Sequence, residues 1–136
     1  MGVPQLRWPT HCETSRPVSR SKAKGTAFET LIVTALQEHL GPEICRRTTS
    51  GAKDRGDIHG LYIRGLRTVA ECKNTKATQL GTHWNEVEVE RGNDDADVGL
   101  LIHKRHGKGQ ALDQWVTLTV RELLTIIIGS RPEEDL

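Results

Sequence analysis

The sequence predicts an α/β fold in which a mixed central β-sheet is flanked by helices, in the order α-β-β-β-α-β-β-α. Three observations predict it. Apolar residues recur at three- and four-residue spacing from Phe28 to Leu40, the period of an amphipathic helix. Two β runs meet at the turn Arg64-Gly65. Val98-Gly99-Leu100-Leu101-Ile102 is an unbroken apolar run, as expected of a strand covered on both faces. Helical stretches to either side of that run supply the cover.

In chain order, residues 1–20 hold Pro4, Pro9 and Pro17 among Thr, Ser and Arg, and read as a flexible basic N-terminal arm. A single domain is expected over 21–130. Its first helix runs from about Ser21 through Leu36 and Leu40 to the stop signal Gly41-Pro42. Glu29 lies on or beside the apolar stripe of that helix, where a carboxylate is costly without a partner. Glu43 to Thr48 reads as a strand, and Thr49 to Gly56 as a polar, glycine-punctuated loop with the cations Lys53 and Arg55. The hairpin from Asp57 to Lys73 follows, then a helix over about Thr82 to Asn93 with Trp84 and Val87 on one face. Val98 to His103 is the buried strand, Lys104 to Gly109 a basic turn, Trp115 to Val120 a strand and Arg121 to Ile128 the closing helix. Residues 131–136 read as an acidic C-terminal tail.

Composition narrows the class. At 136 residues, 35% hydrophobic and 27% charged, the chain fits one globular domain, and no apolar run approaches a membrane span. Cys12, Cys45 and Cys72 are odd in number and widely spaced, which predicts reduced thiols in a cytosolic compartment. Net charge is +1, but residues 1–76 hold 13 Lys/Arg against 7 Asp/Glu, whereas residues 77–136 hold 6 against 11. A basic face that tracks phosphates and an acidic face turned away from them would give this asymmetry.

The centre of the chain is Gly56-Asp57-Ile58-His59-Gly60 followed by Glu71-Cys72-Lys73. On a strand, Glu71 and Lys73 project to one face and Cys72 to the other. Held about 4 Å apart at an effective dielectric of about 20, the carboxylates of Asp57 and Glu71 would repel by roughly 4 kcal/mol. Such a pair is kept if one acid is protonated or a cation lies between them, and Mg²⁺ suits carboxylate, water and phosphate oxygens. Lys73 could then orient a water or stabilise charge on phosphorus oxygens. Sharing one ion requires Asp57 opposite Glu71, which predicts a three-residue loop, Ile63-Arg64-Gly65, or an equivalent bulge.

The helix with Glu29 after Lys24-Gly25, the Ser50-Gly51 loop, Gly56-Asp57-Ile58 and Glu71-Cys72-Lys73 together resemble the PD-(D/E)xK nuclease superfamily, and within it the small archaeal and phage-type Holliday-junction resolvases. The resemblance covers about residues 22–120, with Gly56 where that pattern usually has proline. It implies a restriction-endonuclease-like fold with catalytic roles for Glu29, Asp57, Glu71 and Lys73. Asp57, Glu71 and Glu29 would hold Mg²⁺, with Mn²⁺ as a substitute. It also implies a homodimer acting on branched DNA, the four-way junction, in a prokaryotic or phage-infected cytoplasm. Ser50, Lys53, Arg55, Lys22, Lys24 and Lys76 are the expected nucleic-acid contacts. Two other functions compete with junction resolution: a flap, nick or restriction-like endonuclease, and a nucleic-acid-binding module that no longer cleaves.

Several residues invite over-reading. His11 with Cys12, and His103 with His106, lack the second pair a zinc site needs. Cys72 faces away from Glu71 and Lys73 and reads as a small buried hydrophobe. Trp84 and Trp115 read as packing residues before base-stacking ones, and Lys104, Arg105 and Lys108 form a turn that could meet phosphate.

Overall fold

A computed structural model of the protein describes residues 20–47, 54–77 and 79–133. The arm through Ser19, the loop residues Ser50 and Lys53, and the tail from Glu134 lie outside the described residues.

The elements are α1 (Arg20–Leu40), β1 (Cys45–Arg46), β2 (Ile58–His59), β3 (Tyr62–Ile63), β4 (Leu66–Lys73), α2 (Leu80–Asn93), β5 (Val98–His103), a 3₁₀ turn (Ala111–Asp113), β6 (Trp115–Thr117) and α3 (Val120–Ile128). They form a mixed α/β structure. The main sheet has the order β3-β4-β5-β6, with β4 and β5 parallel and the outer pairings antiparallel; β1 and β2 make a separate two-stranded ribbon. A parallel β4–β5 pair needs a crossover, and α2 provides it. Among the described residues no helix is long and apolar enough to cross a membrane.

The two central strands are buried almost throughout, as their apolar runs require. Ala70, Cys72, Val98, Leu100 and Ile102 join Phe28, Ile32 and Val33 of α1 in the larger core. On the opposite face Val69 and Leu101 meet Val87 of α2, with Trp84 packed alongside. Cys72 is thus a core residue, 7% exposed and free. Cys45 carries a disulfide bond, which corrects the expectation of reduced thiols throughout.

The hairpin also differs from expectation. Ile63 pairs with Leu66 and Tyr62 with Arg67, so the loop has two residues, Arg64 (φ 52°) and Gly65 (φ 80°), not three. Two consecutive positive φ angles give the turn whose twist matches the strands it joins. Partners in this register sum to 129 (62 and 67), which would set Asp57 opposite Cys72. Leu61 still obeys it, accepting the Thr68 N–H at 3.0 Å, but Asp57 N–H donates to Ala70 O at 2.9 Å. The offset of two residues arises at Gly60 (φ 87°), where the expected single strand breaks into β2 and β3 and β2 turns away to pair with β1. A side chain at Gly60 would come within 2.8 Å of Glu43 O, so the break needs glycine.

Asp94, just past α2, is 5% exposed and binds two arginines. Arg47 donates to Oδ1 at 2.8 Å, and Arg67 donates to Oδ1 at 2.9 Å and to Oδ2 at 3.2 Å. These bonds tie the end of β1 and the start of β4 to α2. Burial alone would raise the Asp94 carboxyl, but the two guanidiniums outweigh it and hold it below the usual range. Asp94→Ala removes the carboxylate from mostly buried Arg47, while half-exposed Arg67 turns to solvent, and is expected to cost about 2 kcal/mol in chemical denaturation. Since the native pKa is depressed, Asp94's contribution is present above its ordinary pKa and is lost as pH falls through the native value.

Candidate active site at the β4–α2 seam

Helix α2 runs back along β4 after the crossover, and the two rows of side chains stay in step. Four helical residues rise about 6 Å and two strand residues about 6.7 Å. Glu86 therefore meets Lys73 and Glu90 meets Glu71, while Asp94, just past the helix, is reached by the long side chain of Arg67 from two strand steps further back. Lys73 Nζ lies 2.6 Å from Glu86 and 3.4 Å from Glu71.

Glu71 is 6% exposed and Glu90 3%. Burial and the adjacent Glu90 carboxyl push Glu71 up to about 9, while burial pushes Glu90 up to about 7. Two buried carboxyls so close cannot both ionise without a compensating charge, and Lys73, already drawn by Glu86, offsets only part of it. Among the described residues, Oε2 of Glu71 and Oε2 of Glu90 have no hydrogen-bond partner. Unpartnered buried oxygens are rare and mark a place for a ligand. Exposed Asp54 completes the group: one oxygen from each of Asp54, Glu71 and Glu90 lies within 4.8 Å of the others, close enough to hold one metal ion. The donor set is all carboxylate oxygen, which suits a hard divalent cation.

Asp57 stands beside this group at the edge of β4. Its Oδ2 accepts the Cys72 N–H at 2.7 Å, filling the ladder position left when β2 departs. Burial first, then Glu71 and Glu29, raise the Asp57 carboxyl well above the ordinary range against that hydrogen bond. The register there depends on Gly56, whose φ is 88° and whose Cβ, if present, would fall 2.6 Å from Val69 Cγ2 and 3.1 Å from Ala70 O. Proline, fixed near −65°, cannot occupy this position.

The structure therefore draws the close carboxylate set differently from Asp57, Glu71 and Glu29. Glu71 is in it, Asp57 borders it, and Glu29 is engaged by Arg46 at 3.0 Å. Asp54 and Glu90 were missed. The signal for Glu90 was its place four residues after Glu86 on a helix following Glu71-x-Lys73; Asp54 read only as part of a loop. Of the expected nucleic-acid contacts, Arg55, Lys22, Lys24 and Lys76 are described and exposed. His103 Nε2 bonds Thr117 Oγ1 and His106 Nε2 meets Thr75 O, so these histidines have separate partners. Trp84 donates to Glu88, and Arg105 lies over the half-exposed ring of Trp115 at 4.4 Å.

Comparison of the chain with protein-family models, with curated proteins and with solved structures finds no match in any of the three.

Proposed function

We propose that this protein is a divalent-metal-dependent DNA endonuclease of the PD-(D/E)xK kind, structure-selective and acting as a homodimer on four-way junctions. One observation carries the reading: two nine-tenths-buried carboxylates with unpartnered oxygens, Glu71 and Glu90, face exposed Asp54 with the Lys73 amine alongside.

Asp54, Glu71 and Glu90 would hold Mg²⁺ or Mn²⁺. The ion, when bound, polarises a phosphodiester and lowers the pKa of a water. Lys73 stays charged, because Glu86 and Glu71 outweigh the pull of burial. It is the cation placed to stabilise negative charge on the phosphorus oxygens. Asp57, fixed through the Cys72 amide, stands beside this group and adds to its negative potential. Arg55 and Lys76 flank the edge in sequence and supply non-specific phosphate contacts.

The test is incubation with four-way junction, flap, linear duplex and single-stranded DNA, in Mg²⁺ or EDTA. Paired nicks in the junction are expected in Mg²⁺ only, falling at least about 100-fold in Lys73→Met with junction binding kept. Equal cleavage of all forms would move the assignment to a flap or restriction-like enzyme. Binding without metal-dependent cleavage would leave a binding module.

A further inference from the structure

Helix α3 is built inside out. Its buried residues are Glu122 and Thr125, while Val120, Leu123, Leu124, Ile127 and Ile128 are 72%, 48%, 41%, 60% and 62% exposed. At 100° per residue these five fall in one stripe about 140° wide, with Glu122, Thr125 and Ile126 opposite. A lone surface helix turns its apolar stripe to the core, and α3 does the reverse.

Polar anchors hold it in that orientation. Glu122 accepts the Gly99 N–H at 2.9 Å and the Arg131 guanidinium at 2.9 Å. Arg64, at the tip of the β3–β4 turn, donates to Ile126 O at 3.1 Å, while the buried Thr125 hydroxyl is satisfied within the helix by Arg121 O at 2.7 Å. The stripe is thus presented by a fixed helix whose inner face is satisfied by bonds that rotation would break.

We propose that the outer face of α3 is the contact surface between two copies of this chain. The stripe has no charged or hydrogen-bonding side chain to select a different partner. About a two-fold axis it meets its own kind without like-charge repulsion, as an isologous interface requires. Residues at i, i+3, i+4, i+7 and i+8 form the ridges that pack against a second helix. The five side chains expose on the order of 500 Å² per copy, so a pair removes on the order of 1,000 Å², the lower bound for a specific interface.

Sedimentation equilibrium of the full chain, without metal or DNA, tests this separately from cleavage. Wild type is expected at twice 15.2 kDa at micromolar concentration. Leu123→Glu/Ile127→Glu should sediment at the chain mass, with self-association weakened at least about 100-fold and its circular dichroism unchanged. Leu112→Glu, at another exposed apolar site, should stay dimeric. If the charges unfold α3, Leu124→Cys is read instead: oxidation should link two chains covalently in high yield. A monomeric wild type, a double variant that stays dimeric, or a Leu124→Cys protein that does not cross-link overturns the proposal.

Discussion

Glu71→Gln is expected to stabilise the metal-free protein at pH 8 while abolishing its activity. Glu71 and Glu90 have native pKa values of about 9 and about 7, both above the ordinary 4.5. Raised carboxyls favour the native state fully below the ordinary pKa, and that stability is lost as pH rises through the native values. The metal-free wild type should therefore weaken between about pH 5 and 9, by a few kcal/mol from Glu71 alone. Glutamine keeps the shape and removes the charge, so its melting temperature at pH 8 should exceed the wild type's by about 5–10 °C. Added Mg²⁺ or Mn²⁺ should raise the wild type's melting temperature, more at pH 8 than at pH 5, and leave the variant unmoved. Cleavage by the variant should fall by at least about 1,000-fold. Thermal melts at pH 5 and 8, with metal and with EDTA, check this. A variant weakened equally at both pH values, with no metal response in the wild type, would show the seam to be an ordinary buried network.

Gly56→Ala should be among the most damaging single changes in the chain. Positive φ strains any L side chain, and the added methyl enters the space of Val69 Cγ2 and Ala70 O. A cost of about 3 kcal/mol or more is expected, read as a lower denaturation midpoint. Gly56→Pro should be worse, since it also imposes the wrong φ. Because the Gly56 N–H donates to Asp54 Oδ1 at 3.0 Å, surviving protein should bind metal more weakly. Near-native stability with unchanged metal affinity would mean that this backbone conformation is not what positions Asp54.

Periodicity carried much of the fold. α1, β5 and the body of α2 lie where apolar spacing places them, since burial must follow the 3.6- or 2-residue period of the backbone. The two-residue turn was equally present in Arg64-Gly65, and it was overruled by the demand that Asp57 oppose Glu71. What breaks that link is Gly60, which sends β2 to a different partner; a long-range pairing leaves no local pattern. The inverted α3 reads in sequence as a common amphipathic helix, because an apolar stripe does not state which side faces inward.

Within the candidate site, the sequence determined that Glu71 and Lys73 share one face of a strand, because a pleated backbone alternates its side chains whatever surrounds it. It also determined that a lone acid there would need company. Which acid answers was decided only by tertiary structure. The crossover lays α2 along β4 so that four-residue helical steps match two-residue strand steps, bringing Glu90 onto Glu71 and leaving Glu29 to Arg46. No spacing within either segment contains that alignment; it arises from the angle and depth at which the two pack.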